Sequence, residues 1–207
     1  MIIVAISGGT GSGKTTLAKK IIKNYTNLKV NYLSLDYYYK DYSDISFNKR
    51  SKINFDHPNS IDFKLFYQQI SEHRKGYDIN TPTYSYKRHK RLKKTNLIKQ
   101  GDLLILDGIL ILLKNNIRDF FDLSIFLDVN FSKRIERRII RDKIERGRSK
   151  DEVEERFLKM IKPMHKKYVE PSKNFADIIL NEDYDFELIK NKIDKKLYAN
   201  NQKNKRF

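Results

Sequence analysis

The chain has 207 residues, of which 39% are hydrophobic and 33% charged, a balance that suits one folded domain over residues 1–207 and excludes wholesale disorder. It contains no cysteine, which excludes disulfides, thiol nucleophiles and cysteine-ligated metal centres. The net charge of +17 fits a phosphate-binding site plus surface lysine, and we do not expect a nucleic-acid partner.

No segment of the sequence has the pattern of a membrane span or a secretory leader. The longest apolar stretch, residues 103–113, is interrupted by Asp107 and Gly108. It is also shorter than the roughly 20 apolar residues that a spanning helix needs. The first seven residues, MIIVAIS, carry no basic region and lead directly into a glycine-rich turn. We therefore expect a cytoplasmic protein without a membrane partner.

Short apolar runs alternate with helical patterns along the chain. Strands are predicted at Ile2–Ser7, Val30–Leu35, Leu103–Leu106, Leu123–Asp128 and Ala176–Leu180. Helices are predicted at Lys14–Tyr25, Ile61–Lys75, Phe131–Glu145, Asp151–Tyr168 and Phe186–Tyr198. The fourth helix should kink or end near Pro163. This alternation predicts an α/β fold: a doubly wound, mostly parallel sheet with helices on both faces.

Three further segments complete the prediction. Residues 78–99 contain the strand-like TPTYSY followed by a basic run, and we expect a β-hairpin over the active face. Residues 141–156 are expected to form a lid. The basic tail, residues 199–207, should fray.

The most specific motif is GGTGSGKT at residues 8–15, which matches G-x-x-x-x-G-K-[ST] at every fixed position. It lies between a predicted strand and a predicted helix, as a phosphate-binding loop (P-loop) should. Lys14 is expected to reach the β- and γ-phosphates of a nucleotide, and the Thr15 hydroxyl to ligate Mg²⁺. The residues predicted to bind nucleotide are Gly8, Gly9, Thr10, Gly11, Ser12, Gly13, Lys14, Thr15 and Thr16.

Two aspartates follow buried strands and should lie at the same edge of the sheet as the P-loop. Asp107 closes the run Leu103–Leu106 and is predicted to hold Mg²⁺ directly or through a water. Asp36 closes the run Val30–Leu35 and is predicted to accept the proton of an attacking hydroxyl. The three tyrosines after Asp36 indicate a pocket for a flat organic acceptor.

Arginines recur along the predicted helix Phe131–Glu145. The basic stripe comprises Arg134, Arg138 and Arg141. Beyond it, Arg146 and Arg148 flank Gly147. Guanidinium groups beside a flexible glycine suit a lid that closes over a transferring phosphoryl group, so Arg146 and Arg148 are predicted to be catalytic.

Taken together, these features resemble the uridine kinases (uridine–cytidine kinases). The resemblance covers roughly residues 1–181 and rests on ordered blocks. They are GGTGSGKTT at 8–16, SLDYYY at 34–39, NFDHPNSID at 54–62, PTYSYKRHKR at 82–91, LDGIL at 106–110, RRIIRDKIERGR at 137–148 and KPMHKKYVEPSKNFADIIL at 162–180. It implies a P-loop NTPase-type fold, Mg²⁺, and transfer of the γ-phosphoryl of ATP or GTP to the 5′-hydroxyl of uridine or cytidine. A homotetramer is also implied.

The resemblance assigns roles to individual residues. It implies that Asp36 is the catalytic base and that Asp56 holds the ribose 2′- and 3′-hydroxyls. Tyr84, Tyr86 and His89 would form the pyrimidine pocket, with Tyr86 stacked on the base. Arg138 would contact the nucleoside. Arg141, Arg146 and Arg148 would contact phosphate or close the lid, and Arg148 and Arg156 also fall near the acceptor.

Three positions depart from the family pattern. Asp107 stands where the family usually has glutamate, so its shorter side chain needs a bridging water or a closer strand tip to serve the metal. Ser85 stands where aspartate is common, and Arg156 stands where glutamine is expected near the nucleoside.

Two other functions stay open at this point. Arg156 and the basic charge would suit a related P-loop kinase that acts on a phosphorylated sugar, as a phosphoribulokinase does. A basic, NTP-dependent nucleic-acid-binding protein is the more remote alternative, and Asp36 and Asp56 argue against it because they would face the passing phosphates.

Overall fold

The computed structural model describes residues 1–147 and 149–204, without the side chains of residues 145, 146, 203 and 204. The strands are β1 (Ile2–Gly8), β2 (Val30–Ser34), β3 (Ile79–Ser85), β4 (Lys90–Ile98), β5 (Leu103–Asp107), β6 (Leu123–Leu127) and β7 (Ile178–Leu180). The α-helices are α1 (Lys14–Asn24), α2 (Phe47–Ser51), α3 (Phe63–Arg74), α4 (Asn115–Arg118), α5 (Phe131–Arg146), α6 (Lys150–Arg156), α7 (Lys162–Met164) and α8 (Phe186–Asn204).

Five of the strands form one parallel sheet in the order β2-β5-β1-β6-β7. Strand β1 lies at its centre, and every one of its residues is buried. Val4 pairs with Ile105 on one side and with Leu123 on the other. The predicted α/β class, with a parallel sheet between helices, is confirmed.

Successive side chains of β1 point to opposite faces of the sheet, so the core consists of two layers. Ile3 and Ala5 pack on one face of the sheet, in the cluster that includes Phe66 of α3. Ile2, Val4 and Ile6 pack on the other face, against α1 and α8. Helices therefore cover both faces of the sheet, and this explains why the central strands are continuous apolar runs in the sequence.

A separate antiparallel hairpin is formed by β3 and β4, which pair from Ile79 with Ile98 to Ser85 with Lys90. Arg91 fixes this hairpin to the main domain. Its guanidinium donates to the carbonyl oxygen of Tyr39 at 2.9 Å and lies 3.4 Å from a carboxylate oxygen of Asp62. The hairpin thus lies beside the end of β2.

Some boundaries differ from the predicted ones. The predicted helix Asp151–Tyr168 begins at Lys150, where the Ser149 hydroxyl caps it. The helical path continues across Pro163 with wider π-helical turns at Phe157–Ile161 and His165–Val169. Proline has no N–H to donate, and such turns accommodate the missing hydrogen bond.

The C-terminal helix α8 ends at Asn204 and not at Tyr198, because no Gly or Pro interrupts residues 199–204. Frayed chain was expected over residues 199–207. Residues 199–204 are helical, residues 205–207 lie outside the described part of the chain, and the fraying stays a prediction. Within the described residues, none of the helices is long and apolar enough to cross a membrane.

Candidate active site

The carboxyl ends of β1, β2 and β5 open into one cavity of about 720 Å³. The P-loop forms one end of it, and the hairpin β3–β4 together with residues 53–56 forms the other. Helices α5 and α6 contribute arginines to its rim. A cavity at the carboxyl edge of a parallel sheet is where α/β proteins bind ligands.

The P-loop takes a conformation that requires glycine. Gly11 and Gly13 have φ angles of +79° and +95°, in the left-handed region. The amide of Ser12 donates back to the Gly9 carbonyl at 3.1 Å and tightens the turn. At the start of α1, Gly13 offers no side-chain cap and the first turn carries no acidic residue. The helix N-terminus is therefore left to bind an anion.

Some P-loop residues line the cavity, and the others are buried behind it. Thr10, Lys14, Thr15 and Thr16 line the cavity together with Gly11 and Gly13. Gly8, Gly9 and Ser12 are buried behind it. A Cβ on Gly9 would lie 2.0 Å from the guanidinium of Arg134, so the first turn of α5 packs directly on the loop.

Lys14 is held at the mouth of the P-loop. Its ammonium donates to the carbonyl oxygens of Gly8 at 2.9 Å and Gly9 at 3.0 Å. Burial lowers the pKa of Lys14 to about 8, although the nearby Asp107 and Asp36 oppose that shift. The charge of Lys14 is thus sensitive to mildly alkaline pH until an anion binds beside it.

Thr15 and Asp107 lie together, as their predicted metal role requires. The Thr15 hydroxyl donates to the buried Asp107 carboxylate at 2.9 Å. In the described residues there is no group of three or more His, Cys, Asp or Glu side chains able to hold a metal. One hydroxyl and one carboxylate beside a phosphate site are the kind of donor set that fits Mg²⁺, which completes its coordination with water and phosphate oxygens.

Tyr32 is also part of this corner, and sequence reasoning did not identify it. It lies on β2 and lines the cavity. It lies two residues before Ser34, whose partner on β5 is Asp107. Burial and the nearby Asp107 raise the pKa of Tyr32, so the hydroxyl is neutral at neutral pH.

Asp36 lies in a 3₁₀ turn, Leu35–Tyr38, immediately after β2. The turn is fixed by a hydrogen bond from the Asp36 amide to the Ser34 hydroxyl at 3.3 Å. Burial and the nearby Asp107 raise the pKa of Asp36 to about 6, and Lys14 opposes the shift. A carboxylate with such a pKa is ionised at neutral pH and is a better proton acceptor than an ordinary aspartate.

Aromatic rings line the acceptor end of the cavity. Tyr39 packs edge-on against Phe55 and Tyr84, with ring centroids 5.0 and 5.2 Å apart. The Tyr84 ring lies 5.6 Å from Tyr86, and His89 stacks on Phe55 at 5.4 Å with an interplanar angle of 13°. The three pocket residues expected from the resemblance thus share a wall with Tyr39, one of the three tyrosines after Asp36, and with Phe55, which sequence reasoning missed.

Asp56 faces the same space. Its own amide donates to the Asn54 side chain at 3.1 Å, which fixes the local turn. Burial lowers the pKa of Arg138, but the nearby Asp142 and Asp56 more than offset this and leave the pKa above its ordinary value. The Asp56 carboxylate also contributes to the raised pKa of Asp36. The two carboxylates and Arg138 all line the cavity.

The arginines of α5 lie over the P-loop. Arg138 donates to the Thr10 hydroxyl and, at 3.0 Å, to Asp142, while Arg141 approaches the Thr10 hydroxyl at 3.4 Å. Arg137, which sequence reasoning also missed, donates to the Gly11 carbonyl at 3.4 Å.

The other predicted arginines lie farther along the chain. Arg156 lines the cavity and donates to the Ser51 carbonyl at 3.2 Å. The side chain of Arg146 and the whole of Arg148 lie outside the described residues.

Comparison with known proteins agrees with this geometry. A family model, "Phosphoribulokinase / Uridine kinase family", matches residues 3–187. The chain is 41% identical over 180 residues to the uridine kinase of Macrococcus caseolyticus, covering 87% of each chain. It is 42% identical over 181 residues to that of Clostridium novyi, again covering 87% of each.

A solved structure shares the fold. The phosphoribulokinase from Rhodobacter spheroides superposes with a TM-score of 0.62 at 17% identity, covering 87% of this chain and 69% of that one. The match over residues 3–187, with the P-loop and the acidic strand ends at one cavity, leads to one conclusion: this chain belongs to the phosphoribulokinase/uridine kinase family.

Proposed function

We propose that the protein is a kinase that transfers the γ-phosphoryl group of ATP, or of GTP, to the 5′-hydroxyl of uridine or cytidine and forms UMP or CMP. The observation that carries the proposal is a single cavity that holds a P-loop at one end and Asp36, Asp56 and an aromatic wall at the other. The relatives named uridine kinase, at 41% and 42% identity, support the same acceptor.

The donor end suits a triphosphate. The P-loop amides and the open N-terminus of α1 are donors for phosphate oxygens. Lys14 would pair with the β- and γ-phosphates. Thr15 and Asp107 would hold Mg²⁺, which would neutralise charge on the phosphates when bound. Arg137, Arg138 and Arg141, on the rim of the cavity, would add charge-assisted hydrogen bonds around the transferring group.

The acceptor end suits a neutral ribonucleoside. A flat pyrimidine would stack between aromatic rings, with Tyr86 beneath it and Tyr84 and His89 at its polar edge. Asp56 would accept hydrogen bonds from the ribose 2′- and 3′-hydroxyls. A deoxyribose would leave part of that carboxylate unpaired, so the site should select ribose.

The chemical step is assigned to Asp36. Its carboxylate would orient the 5′-hydroxyl in line with the γ-phosphorus and take its proton as the new O–P bond forms and the bond to the β-phosphate oxygen breaks. A pKa of about 6 keeps Asp36 ionised at neutral pH, ready for this proton. Lys14 and the arginines would stabilise the charge on the leaving diphosphate.

The sugar-phosphate alternative is less supported. An anionic acceptor would have to approach both Asp36 and Asp56, each of which carries a negative charge when ionised. Arg156, the residue that favours such an acceptor, already donates to the Ser51 carbonyl. The likeness to phosphoribulokinase is one of fold alone, at 17% identity.

The test is ADP release with Mg·ATP across a panel of acceptors: uridine, cytidine, 2′-deoxyuridine, ribulose 5-phosphate and none. Turnover should appear with the two ribonucleosides and fall strongly with 2′-deoxyuridine. Turnover with the sugar phosphate, or equal turnover with the deoxynucleoside, would contradict the proposed acceptor site.

A further inference from the structure

We infer that Asp142 is a positioning residue of this kinase. Its buried carboxylate holds Arg138 and Arg141 over the P-loop, and it keeps Arg138 from pairing with Asp56, the proposed partner of the ribose. The inference rests on the function proposed above. It concerns a residue that does not line the cavity and to which the sequence motifs assign no role.

Asp142 lies one helical turn after Arg138 on α5. One of its carboxylate oxygens accepts a hydrogen bond from Nε of Arg138 at 3.0 Å, and the other lies 3.6 Å from Nε of Arg141. The Asp142 side chain is 1% exposed and that of Arg138 is 11% exposed. Both arginines line the cavity. The carboxylate is therefore shielded from water, while the guanidinium groups that it contacts reach the ligand space.

The stability of the helix does not explain this carboxylate. Asp142 lies near the C-terminal end of α5, where its own carbonyl oxygen accepts the amide of Gly147. The partial negative charge at that end of a helix disfavours an acidic side chain. The order of the pair, with Arg138 before Asp142, is also the less favourable one. Removing the carboxylate from water costs further free energy. A role toward the two arginines accounts for a charge at a position that the helix itself disfavours.

The P-loop contacts the same two arginines. Nη1 of Arg138 donates to the Thr10 hydroxyl, and Nη2 of Arg141 lies 3.4 Å from that hydroxyl. Arg138 is thus held at Nε by Asp142 and at Nη1 by Thr10. Its third nitrogen, Nη2, has no hydrogen-bond partner among the described residues. Because the guanidinium is planar, holding two of its nitrogens fixes the direction of the third, which is left to donate to a ligand.

A second carboxylate competes for Arg138. Asp56 lies at the acceptor end of the cavity and, after Asp142, is the charge that most raises the pKa of Arg138. Without Asp142, the opposite charges would draw Arg138 towards Asp56. A direct pair between them would occupy the carboxylate that is proposed to accept the ribose hydroxyls. Asp142 thus directs Arg138 to the phosphates and leaves Asp56 to the nucleoside.

The test is steady-state kinetics of Asp142→Asn with uridine and Mg·ATP, together with calorimetry of ADP binding. The variant keeps the shape of the side chain and removes its charge. We expect kcat to fall about ten-fold, the scale of one charge-assisted hydrogen bond, and the KM for uridine to rise by a similar factor. The affinity for ADP should not fall, because both arginines remain. A purely structural role would lower Tm and leave kcat and KM of the folded protein unchanged.

The matched control is Asp194→Asn. Asp194 also follows a basic residue by four positions, with Nζ of Lys190 3.4 Å from its carboxylate, and it also accepts a second donor, the Tyr25 hydroxyl at 2.8 Å. It does not line the cavity, so its variant should keep the parent kcat and KM. An equal loss of kcat in this control would overturn the inference.

A double variant tests whether Asp142 acts through Arg138. If it does, adding Asp142→Asn to Arg138→Met should reduce kcat by less than it does in the parent. Additive losses would overturn the inference.

The remaining outcomes separate this inference from the proposed function. Parent-like kcat and KM in Asp142→Asn would overturn the inference and leave the proposed function standing. If Asp142→Asn does not fold, Asp142→Glu takes its place: the charge is kept but displaced by one methylene, so kcat should again fall. Failure of both variants to fold would show a structural role and overturn the inference. A parent protein that does not turn over uridine would overturn the proposed function, and the inference with it.

Discussion

Replacing Asp36 by asparagine should abolish catalysis and, at the same time, stabilise the ligand-free protein. The variant keeps the size and shape of the side chain but cannot accept a proton. Because a positioned base contributes about a hundred-fold or more to the rate, kcat should fall by at least that factor, with little change in uridine affinity. The gain in stability follows from the environment of Asp36.

The magnitude comes from the pKa of Asp36, which burial and the nearby Asp107 raise from 3.8 to about 6. Such a shift corresponds to at most about 3 kcal/mol of destabilisation when the carboxylate is ionised. The side chain is only half-buried, so water screens it, and we expect about 1.5 kcal/mol. For a chain of this length that is an increase of about 4 °C in Tm.

The sign of the pH dependence makes this prediction specific. The folded state binds the Asp36 proton more tightly than the unfolded state, so the parent loses stability as pH rises from about 4 to about 6. Asp36→Asn lacks that loss. Its advantage over the parent should therefore be absent below pH 4, grow up to about pH 6 and stay constant above it.

The assay is thermal or urea unfolding of the parent and Asp36→Asn without ligands, repeated between pH 4 and pH 8, beside steady-state kinetics with uridine. Asn variants of exposed aspartates, such as Asp41→Asn, serve as the matched control. A variant less stable than the parent at pH 8, or one with a pH-independent gain, would refute the electrostatic reasoning. Full activity would remove Asp36 as the base.

Three further predictions test other parts of the site. Asp56→Ala should raise the KM for uridine far more than it lowers kcat, since Asp56 is proposed to bind the ribose; an unchanged KM in steady-state kinetics would contradict this. Gly11→Ala should abolish nucleotide binding in calorimetry, because the new methyl would lie 2.4 Å from the Arg134 carbonyl oxygen. Gly13→Ala carries the strain of a positive φ but meets no atom within 4 Å, so it should weaken binding less than Gly11→Ala does. Because the pKa of Lys14 is lowered to about 8, kcat/KM for ATP should fall as pH rises through about 8, and a flat profile would argue against a charged Lys14 in ATP capture.

Much of the donor side could be predicted from sequence because its signals are local. The spacing of glycines, Lys14 and Thr15 is contiguous, and the strand before it and the helix after it are strongly patterned. Asp107 follows a fully apolar run, so its place at the sheet edge follows from the fold class alone. Predicting the positions of these residues required no knowledge of how distant segments of the chain pack.

The acceptor wall could not be derived in the same way. Tyr39 and Phe55 lie in residues 37–58, which have no hydrophobic period, and their contacts with Tyr84 depend on docking of the hairpin. That docking depends on Arg91 and the Tyr39 carbonyl, a pairing across 52 residues. Only the resemblance to a family pointed to Tyr84, Tyr86 and His89.

Tyr32 was missed for a different reason. Its strand was predicted correctly, but the alternation along β2 does not say which face meets α1 or which residue of β5 lies opposite Ser34. The register between two strands separated by about 70 residues of sequence is a tertiary property. A tyrosine two residues before a polar strand end was the available signal, and it is a weak one.

The measurement that tests the central claim most directly is identification of the product formed from uridine, Mg·ATP and the parent protein. Chromatography and ³¹P NMR should show uridine 5′-monophosphate appearing in equal amount with ADP, and 5′-deoxyuridine should give no nucleotide. ADP formed with free phosphate and no UMP, or phosphorylation at a ribose 2′- or 3′-hydroxyl, would contradict the assignment of Asp36 and Asp56.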